Sequence, residues 1–471
     1  MSTPLSPPPV ETLPALLDLD LVRRFDTNGP RYTSYPTADR FHDAFGPERL
    51  ADALAERSSA AASQPLSIYV HLPFCDTVCF YCGCNKVVTR DKSRATRYVE
   101  YLGKEIALQA ALLGGDRPVS AMHWGGGTPT FLVEEDMRAL VEMLENAFQF
   151  QPGAERAIEI DPRSCDAAKM RLLAELGFNR ASFGVQDFDA DVQKAVNRIQ
   201  PYETTREAIV AARANGFRSV NVDLIYGLPK QSVESFTRTV DSVLALRPDR
   251  IALYSYAHLP TRFKPQRRIV EADMPKAAVK LGILTEAIER FNAAGYVYIG
   301  MDHFALPDDE LARAQRNGTL IRNFQGYAVG PDTDLVAFGV SAIGKVGATY
   351  SQNAKEVPNY YAALDAGRLP VIRGVALTPD DVVRRAVIVS LMCRFVLPFE
   401  AIESAHGVRF REYFARELAE LAEYAKLGLV EIEDGWLAVT PRGRYFVRAI
   451  ASLFDRHLRE SQARASYSRI I

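Results

Sequence analysis

The most informative segment of the chain is Ser67-Ile-Tyr-Val-His-Leu-Pro-Phe-Cys75-Asp-Thr-Val-Cys79-Phe-Tyr-Cys82-Gly-Cys84. Four of the chain's six cysteines lie in its last ten residues, directly after a short run with the alternation of a β-strand. Cys75, Cys79 and Cys82 have the spacing C-x3-C-x2-C, and Cys84 follows as a fourth thiol. We expect this loop to turn the first three thiols toward one centre, where they bind three irons of a four-iron cluster. The fourth iron would then have no protein ligand and would be open to a substrate.

A structural zinc site is the alternative interpretation of four clustered cysteines. Zinc ribbons usually pair two C-x2-C units separated by a dozen or more residues, and the sequence contains no second pair. The spacing therefore favours an iron–sulfur cluster, and it is the signature of the radical S-adenosylmethionine (SAM) enzymes. Spacing alone leaves open whether Cys84 is a fourth ligand or a nearby thiol. A nearby thiol is favoured, because a fourth ligand would close the open iron.

Length and charge narrow the class of protein. With 471 residues the chain is expected to form two or three domains. Its 56 basic and 58 acidic residues give a net charge of −2, so we expect no nucleic-acid partner. No apolar run approaches the ~20 residues that a membrane helix needs, so we expect no membrane span. The first twenty residues contain no Lys or Arg, and the thiols are clustered, so we predict a cytoplasmic protein.

Between residues 66 and 256, short apolar runs alternate with longer helical stretches. This alternation predicts βαβ units with a parallel sheet, and therefore an α/β fold with a partial (β/α)6 TIM-like barrel. The predicted strands are 67–71, 121–124, 157–160, 180–184, 219–224 and 250–254. The predicted domains are an N-terminal tail and arm (1–55), a catalytic barrel domain (56–365) and a mainly helical, winged-helix-like domain (366–471). We expect the aromatic arm around Tyr32 and Tyr35 to dock on another surface.

Four of the predicted strands carry polar residues on one face and apolar residues on the other. A closed eight-stranded barrel fills its interior with Val, Ile and Leu. Polar strand residues near the C-terminal ends instead predict an open interior that holds a ligand. The polar set consists of Tyr69, His71, Glu159, Asp161, Ser182, Gly184, Gln186, Asn221 and Asp223.

A glycine-rich turn follows the second predicted strand, Trp124-Gly-Gly-Gly-Thr-Pro129. Its three glycines allow the backbone to approach a ligand closely. The turn matches neither the Walker loop nor the G-x-G-x2-G fingerprint, and we predict that it contacts the methionine part of SAM. His258 and His303 are candidate general acids, although structural roles are more common for lone histidines.

The chain resembles the oxygen-independent coproporphyrinogen III oxidase family, from the arm at Pro30 to the C-terminal helices. The motifs that carry the resemblance are Pro30-Arg-Tyr-Thr-Ser-Tyr-Pro-Thr37, Tyr69-Val-His-Leu-Pro-Phe-Cys75, His123-Trp-Gly-Gly-Gly-Thr-Pro-Thr130, Gly184-Val-Gln-Asp-Phe188, Val196-Asn-Arg198, Asp223-Leu-Ile-Tyr-Gly-Leu-Pro229, Tyr256-Ala-His-Leu-Pro-Thr261 and Gly300-Met-Asp-His-Phe304. One departure is Tyr81, where the family often has Phe; because Tyr is also aromatic, we expect the implied stacking contact to be kept.

The resemblance implies the residues of the site. Cys75, Cys79 and Cys82 would ligate a [4Fe–4S] cluster, and Cys84 would lie close by without ligating it. Two SAM molecules are implied. The first would contact Tyr69, Gly126, Glu159 and Ile343. The second would contact Tyr81, Gly127, Thr128, Gln186, Arg198, Asp223 and Ala257. Tyr69, His71 and Cys84 are the implied catalytic residues.

The implied reaction converts two propionate side chains of coproporphyrinogen III to vinyl groups, giving protoporphyrinogen IX. A 5′-deoxyadenosyl radical from SAM would remove a hydrogen atom, and CO2 would leave. The implied partners are a flavodoxin- or ferredoxin-type electron donor and an unidentified final acceptor, with a monomeric enzyme expected. We predict that Arg31 and Arg322 bind substrate carboxylates. The alternatives are a haem chaperone and a haem-opening radical SAM methyltransferase on the same scaffold.

Overall fold

The computed structural model describes residues 18–25, 29–59, 64–114 and 117–460. Contacts group them into two compact units. The barrel unit comprises residues 40–283 and 333–376, and the C-terminal unit comprises the described residues within 1–39, 284–332 and 377–471. The domain division at residues 55 and 365 stays a prediction. Among the described residues, no helix combines the length and the apolarity needed to cross a membrane.

Six strands of the barrel unit follow one another in both sequence and space. Each runs parallel to the next. They are β1 (Leu66–Leu72), β2 (Pro118–Gly126), β3 (Gln149–Ile160), β4 (Arg180–Gln186), β5 (Ser219–Tyr226) and β6 (Arg250–Ser255). Every predicted strand lies within one of them, and the predicted α/β class with a partial barrel is confirmed.

On the other side of β1, the sheet continues with four more strands. β7 (Asp334–Phe338) pairs parallel with β1. Three antiparallel strands follow it: β8 (Ile343–Val346), β9 (Thr349–Asn353) and β10 (Val371–Ala376). The sequence analysis missed this extension, because its strands are short and contain Gly, Ser, Gln and Asn, which weaken the alternation that marks a strand.

The helices of the barrel unit begin and end where local chemistry favours it. The helix Val233–Leu246 begins at Ser232 with a capping box to Ser235 and ends at Arg247, whose backbone is left-handed. The helix Glu134–Ala147 has three acidic residues in its first turn, where they stabilise the positive end of the helix dipole. The remaining helices are Pro47–Ser59, Ser93–Leu113, Ala167–Glu175, Ala190–Ala195, Tyr202–Ala214 and Val357–Asp365, with Ala277–Ala293 continuing from this unit into the other.

The strand faces follow the predicted alternation. Apolar residues such as Ile158, Val220 and Val222 are buried, whereas Glu159 and Asp223 between them are only half-buried. Burial of the apolar face against the helices stabilises the sheet by roughly 25 cal/mol per Å² of apolar surface. It leaves the polar face for the barrel interior.

The C-terminal unit is mainly helical, as predicted. Its helices are Leu19–Phe25, Glu310–Arg316, Pro379–Arg394, Phe399–His406, Phe410–Tyr413, Ala415–Lys426, Val447–Ser452 and Arg456–Glu460. Its strands are Val297–Gly300, His303–Ala305, Leu320–Asn323, Gly326–Val329, Val396–Pro398, Val430–Ile432 and Trp436–Val439. A hairpin forms around Gly435, where Val430–Ile432 pairs antiparallel with Trp436–Val439. The helices Phe410–Tyr413 and Ala415–Lys426 are separated at Phe414, which is fully buried.

The aromatic arm is docked within the C-terminal unit. Tyr32 and Tyr35 are buried. The Tyr32 hydroxyl donates to Asp455 at 3.1 Å, and the Tyr35 hydroxyl accepts from the Arg456 backbone N–H at 3.2 Å. The predicted docking of the arm is therefore confirmed.

Candidate active site

A cavity of about 560 Å³ lies where the cysteine loop, the glycine turn and the ends of the barrel strands meet. Ligands bind at the same end of other parallel α/β sheets. Most of the predicted site residues line it: Cys75, Cys79, Tyr81, Cys82, Cys84, Gly126, Gly127, Thr128, Glu159, Gln186, Arg198 and Asp223. Tyr69, His71, Ala257 and Ile343 are not among its lining residues.

Backbone hydrogen bonds hold the cysteine loop in place. Cys75 pairs with Val88 in a short parallel ladder, and its carbonyl accepts from the Thr89 N–H at 3.0 Å. A turn closes where the Cys82 N–H donates to the Cys79 carbonyl at 3.2 Å. These hydrogen bonds help to position the three thiols at one cavity.

The thiols of the loop differ in acidity. The Cys84 thiol hydrogen-bonds to Cys82, and together with the Lys86 charge it lowers the pKa of Cys82 to about 6 despite burial. The same contact with Cys82 raises the pKa of Cys84 well above its usual value. Thiolate is the form that ligates a metal, and the hydrogen bond from Cys84 favours that form on Cys82.

Two arginines and one aspartate form a hydrogen-bonded group beside the Cys79 sulfur. Arg198 donates to the Cys79 sulfur at 3.5 Å and to Asp161 at 3.0 Å. Arg163 also donates to Asp161, at 2.7 Å, and lies 3.8 Å from the same sulfur. Burial opposes ionisation of Asp161, but Arg198 and Arg163 lower its pKa overall. The sequence analysis missed Arg163, which lies just after β3, beyond Asp161 and Pro162.

The glycine turn and Glu159 form one unit. The Gly126 N–H donates to Glu159 at 3.0 Å, and His123 lies 3.3 Å from the other carboxylate oxygen. Burial disfavours the charge, but the His123 contact and the Gly126 N–H lower the pKa of Glu159 overall. At Gly127 a Cβ would lie 2.6 Å from the Pro73 carbonyl carbon, so only glycine allows this close approach to the cysteine loop.

Tyr69 and His71 lie behind this turn. The Tyr69 ring stacks on His123 at 6.0 Å, and its hydroxyl is 3.1 Å from Nδ1 of His71. Nε2 of His71 is 3.0 Å from the Asn85 carbonyl. Because a carbonyl only accepts, Nε2 carries the hydrogen and Nδ1 accepts from Tyr69. Burial lowers the pKa of His71, so the ring is a neutral support beneath Gly126.

Asp223 is held by Ser182 on the adjacent strand β4 and by Asn221 on its own strand β5. Ser182 donates to it at 2.9 Å, and Asn221 donates to its other oxygen at 2.9 Å. Burial raises the pKa of Asp223 to about 6. Gln186 ends β4 with a left-handed backbone (φ 69°), which turns the chain at the cavity.

The other predicted residues have separate environments. Ala257 contributes its carbonyl, which accepts from Gln266 at 3.2 Å. Ile343 begins β8, where it pairs with Gln352. Both ring nitrogens of His258 have partners: Nδ1 lies 2.9 Å from the Tyr256 hydroxyl, and Nε2 lies 3.4 Å from the Glu271 carboxylate.

His303 belongs to the C-terminal unit. Burial and the charges of Arg322 and Arg31 lower the pKa of His303 to about 3. A protonated general acid is therefore not the state of this ring at neutral pH.

The donors in the cavity fit an iron–sulfur cluster and a charged cofactor. Three thiols supply the soft ligands that iron–sulfur clusters use, and carboxylates of Glu159 and Asp223 suit a sulfonium or ammonium group. Nε of Arg198 is buried and has no hydrogen-bond partner among the described residues, which leaves a donor for a bound ligand. Among the residues that the structure describes, no three His, Cys, Asp or Glu side chains are placed so that they could hold a single metal ion.

Comparisons with known proteins agree over nearly the whole chain. A family model described as the radical SAM superfamily matches residues 69–243, and one described as the HemN C-terminal domain matches residues 377–446. The oxygen-independent coproporphyrinogen III oxidase of Pseudomonas aeruginosa is 51% identical over 456 residues, which cover 96% of this chain and 98% of the relative. The oxidase of Escherichia coli is 48% identical over 454 residues, again 96% and 98%.

A solved structure of the Escherichia coli coproporphyrinogen III oxidase (HemN), described as a radical SAM enzyme, has a TM-score of 0.89 to this chain. It is 46% identical, and the match covers 95% of this chain and 100% of that one. Because these relatives are 46–51% identical over nearly the full length of both chains, the chain belongs to the oxygen-independent coproporphyrinogen III oxidase family, and it is a radical SAM oxidoreductase of haem biosynthesis that uses a [4Fe–4S] cluster and SAM.

Proposed function

We propose that this chain converts coproporphyrinogen III to protoporphyrinogen IX in the cytoplasm by oxidative decarboxylation of two propionate groups. The observation that carries the proposal is the meeting of Cys75, Cys79 and Cys82 with the glycine turn and Arg198 at one cavity. When bound, the cluster and SAM supply the radical that removes a hydrogen atom from the propionate carbon β to its carboxylate. The protein binds and orients the cofactors and the substrate, and it excludes water from them, as is general for cofactor enzymes.

Cys75, Cys79 and Cys82 are the proposed cluster ligands, and Cys84 is a proposed proton-bearing neighbour. The hydrogen bond from Cys84 to Cys82 supports this division, because it favours the thiolate on Cys82. Thr128 donates to the Cys75 sulfur at 3.6 Å, and hydrogen bonds to ligand sulfurs tune the potentials of such clusters.

Two sets of residues are proposed to bind two SAM molecules. Tyr69, Gly126, Glu159 and Ile343 form the first set, and Tyr81, Gly127, Thr128, Gln186, Arg198, Asp223 and Ala257 form the second. The hydrogen bond between Glu159 and Gly126 supports a joint role in the first set. Arg198, which contacts both Asp161 and the Cys79 sulfur, links the second set to the cluster loop.

Arg31 and Arg322 are the proposed partners of substrate carboxylates. Arg322 is only 5% exposed, and its Nη1 has no hydrogen-bond partner among the described residues. Its Nε donates to the Arg31 carbonyl at 3.2 Å, and Arg31 pairs with Asp302. A buried guanidinium with a spare donor is suited to a carboxylate, which it binds in a planar fork.

The remaining proposals concern organisation and partners. We assign residues 56–365 to the catalytic domain, with a mainly helical domain over 366–471. The enzyme is proposed to act as a monomer, to receive electrons from a flavodoxin- or ferredoxin-type protein and to pass the remaining electrons to a separate acceptor.

An anaerobic turnover assay tests this function. Reconstituted and reduced protein is incubated with coproporphyrinogen III and SAM, and in parallel with haem and SAM. Release of CO2 with formation of protoporphyrinogen IX supports the proposal. Bound haem without turnover would indicate a chaperone instead, and a methylated linear tetrapyrrole would indicate a methyltransferase.

A further inference from the structure

The surface beside Cys75 is positively charged, although the chain as a whole is nearly neutral. The whole sequence has nearly equal numbers of basic and acidic residues, 56 and 58. Within residues 86–97, however, five residues are basic and one is acidic. They are Lys86, Arg90, Lys92, Arg94 and Arg97, with Asp91. Such a segment creates a local positive field even on a protein with a negative net charge.

The outer part of this segment is available for a partner. Lys86 and Lys92 are engaged, at 3.1 Å from the Cys82 carbonyl and at 3.3 Å from Asp76 respectively. Arg90 and Arg94 are exposed, and within the described part of the chain neither forms a hydrogen bond or an ion pair. Arg97 is also exposed and lies over the Tyr361 ring at 5.2 Å. These three guanidinium groups give the surface its positive charge.

An exposed apolar side chain lies beside these arginines and next to a proposed cluster ligand. Val88 is 44% exposed and pairs with Cys75. The following residue, Thr89, donates its N–H to the Cys75 carbonyl at 3.0 Å. The sulfur of Cys75 lies at the cavity. The backbone of this ligand is therefore one hydrogen bond away from the protein surface.

A groove of about 490 Å³ extends the same surface. Its lining includes Phe74, Arg94, Arg97, Pro358 and Tyr361, together with one acidic residue, Asp365, whose charge is paired with Lys104 at 2.7 Å. Phe74 precedes Cys75 in the chain and is almost fully buried. The groove therefore combines an apolar floor with a basic rim, as interfaces for charged partner proteins commonly do.

We propose that Val88, Arg90, Arg94, Arg97 and this groove form a docking surface for an acidic one-electron carrier protein. The inference rests on the proposed function, because a cluster that must be reduced needs an electron from outside the chain. In each encounter the carrier loses one electron and the cluster gains one, with no bond made or broken. Weak electron-transfer encounters use small interfaces, and complementary charge speeds their formation.

The test compares two charge reversals of equal size. Arg90→Glu/Arg94→Glu changes the docking surface, and Arg171→Glu/Arg206→Glu changes two exposed arginines elsewhere in the barrel unit. The probe is flavodoxin, a small acidic flavoprotein. The Kd of oxidised flavodoxin is expected to rise about tenfold in the first variant at low ionic strength, and the rate of cluster reduction by reduced flavodoxin should fall by about the same factor. Added salt should remove both differences.

The control arms separate docking from other effects. The Arg171→Glu/Arg206→Glu variant should bind flavodoxin like the parent, and dithionite, which needs no docking surface, should reduce all three proteins equally. Equal losses in both variants, or no loss in the first, would overturn the proposed surface. Failure of the parent protein to form product with dithionite would instead overturn the proposed function, while the binding measurement would still test the surface.

Discussion

The side-chain amide of Gln266 donates to the carbonyl of Tyr81 at 2.9 Å and to that of Ala257 at 3.2 Å. Its oxygen accepts from the Leu259 N–H at 2.6 Å, and the residue is only 2% exposed. One buried amide therefore joins the cysteine loop to the segment that follows β6. Both carbonyls belong to residues in the proposed second SAM set.

Replacement Gln266→Glu should weaken SAM binding while the cluster remains. The carboxylate keeps the shape but has no N–H, so two buried carbonyls lose their donor and face a negative charge. Loss of such hydrogen bonds costs about 1–3 kcal/mol, so we expect the Kd for SAM to rise by roughly 5- to 150-fold. Iron content and SAM binding are measured together, with exposed Gln151→Glu as the control. An unchanged Kd in Gln266→Glu would show that this amide does not position the loop.

Replacement Gly127→Ala should separate the glycine turn from the cysteine loop. The added Cβ would lie 2.6 Å from the Pro73 carbonyl carbon and 2.7 Å from its oxygen. These neighbours are backbone atoms, so the turn itself must move. We expect the affinity for SAM to fall about tenfold or more, by equilibrium binding to the reconstituted protein. Gly435→Ala is the control, since a Cβ there meets no atom within 4 Å. Equal affinities in the two variants would refute the close-approach argument.

Glu105 should make the stability of the apo-protein depend on pH. It is buried and accepts from Tyr360 at 2.6 Å, Asn353 at 2.7 Å and the Gly339 N–H at 2.8 Å. Burial nevertheless raises the pKa of Glu105 from its usual 4.5 to about 7. The folded state therefore binds this proton more tightly than the unfolded chain does. The resulting stabilisation is complete below pH 4.5 and is lost as the pH rises toward 7.

At ~1.4 kcal/mol per pKa unit, this effect amounts to about 3 kcal/mol. Thermal unfolding of the apo-protein should show a decrease in Tm between about pH 4.5 and pH 7 that is smaller in Glu105→Gln. Exposed Glu142→Gln should keep the full decrease of the parent. If Glu105→Gln and the parent changed equally with pH, Glu105 would not be the titrating group.

Replacements Arg31→Ala and Arg322→Ala should raise the KM for coproporphyrinogen III. Each removes a cation that we assign to a substrate carboxylate, and charge-assisted hydrogen bonds are worth about 1.5–3 kcal/mol. Steady-state kinetics with saturating SAM should show a rise in KM of about tenfold or more. The conservative Arg322→Lys variant should recover part of the loss, since it keeps the charge without the fork. Unchanged KM values in both alanine variants would contradict the assignment.

Much of the barrel and its cavity was accessible from sequence, because short-range patterns encode them. Strand alternation placed Glu159, Gln186 and Asp223 on one face, and each lines the cavity. The sequence analysis did not identify Arg163 and Gln266, because their roles arise only when distant segments fold together. The Gln266–Tyr81 hydrogen bond, for example, spans 185 residues. No local pattern marks such a residue as different from an ordinary polar side chain.

Spectroscopy of the reduced, reconstituted protein with and without SAM tests the central claim most directly. The claim is that Cys75, Cys79 and Cys82 hold a [4Fe–4S] cluster with one open iron, which SAM can bind. We predict four irons and four sulfides per chain, an electron paramagnetic resonance signal that changes on addition of SAM, and retention of both in Cys84→Ser. A signal unaffected by SAM, or loss of the cluster in Cys84→Ser, would show that the fourth iron is closed by a thiolate and would contradict the account.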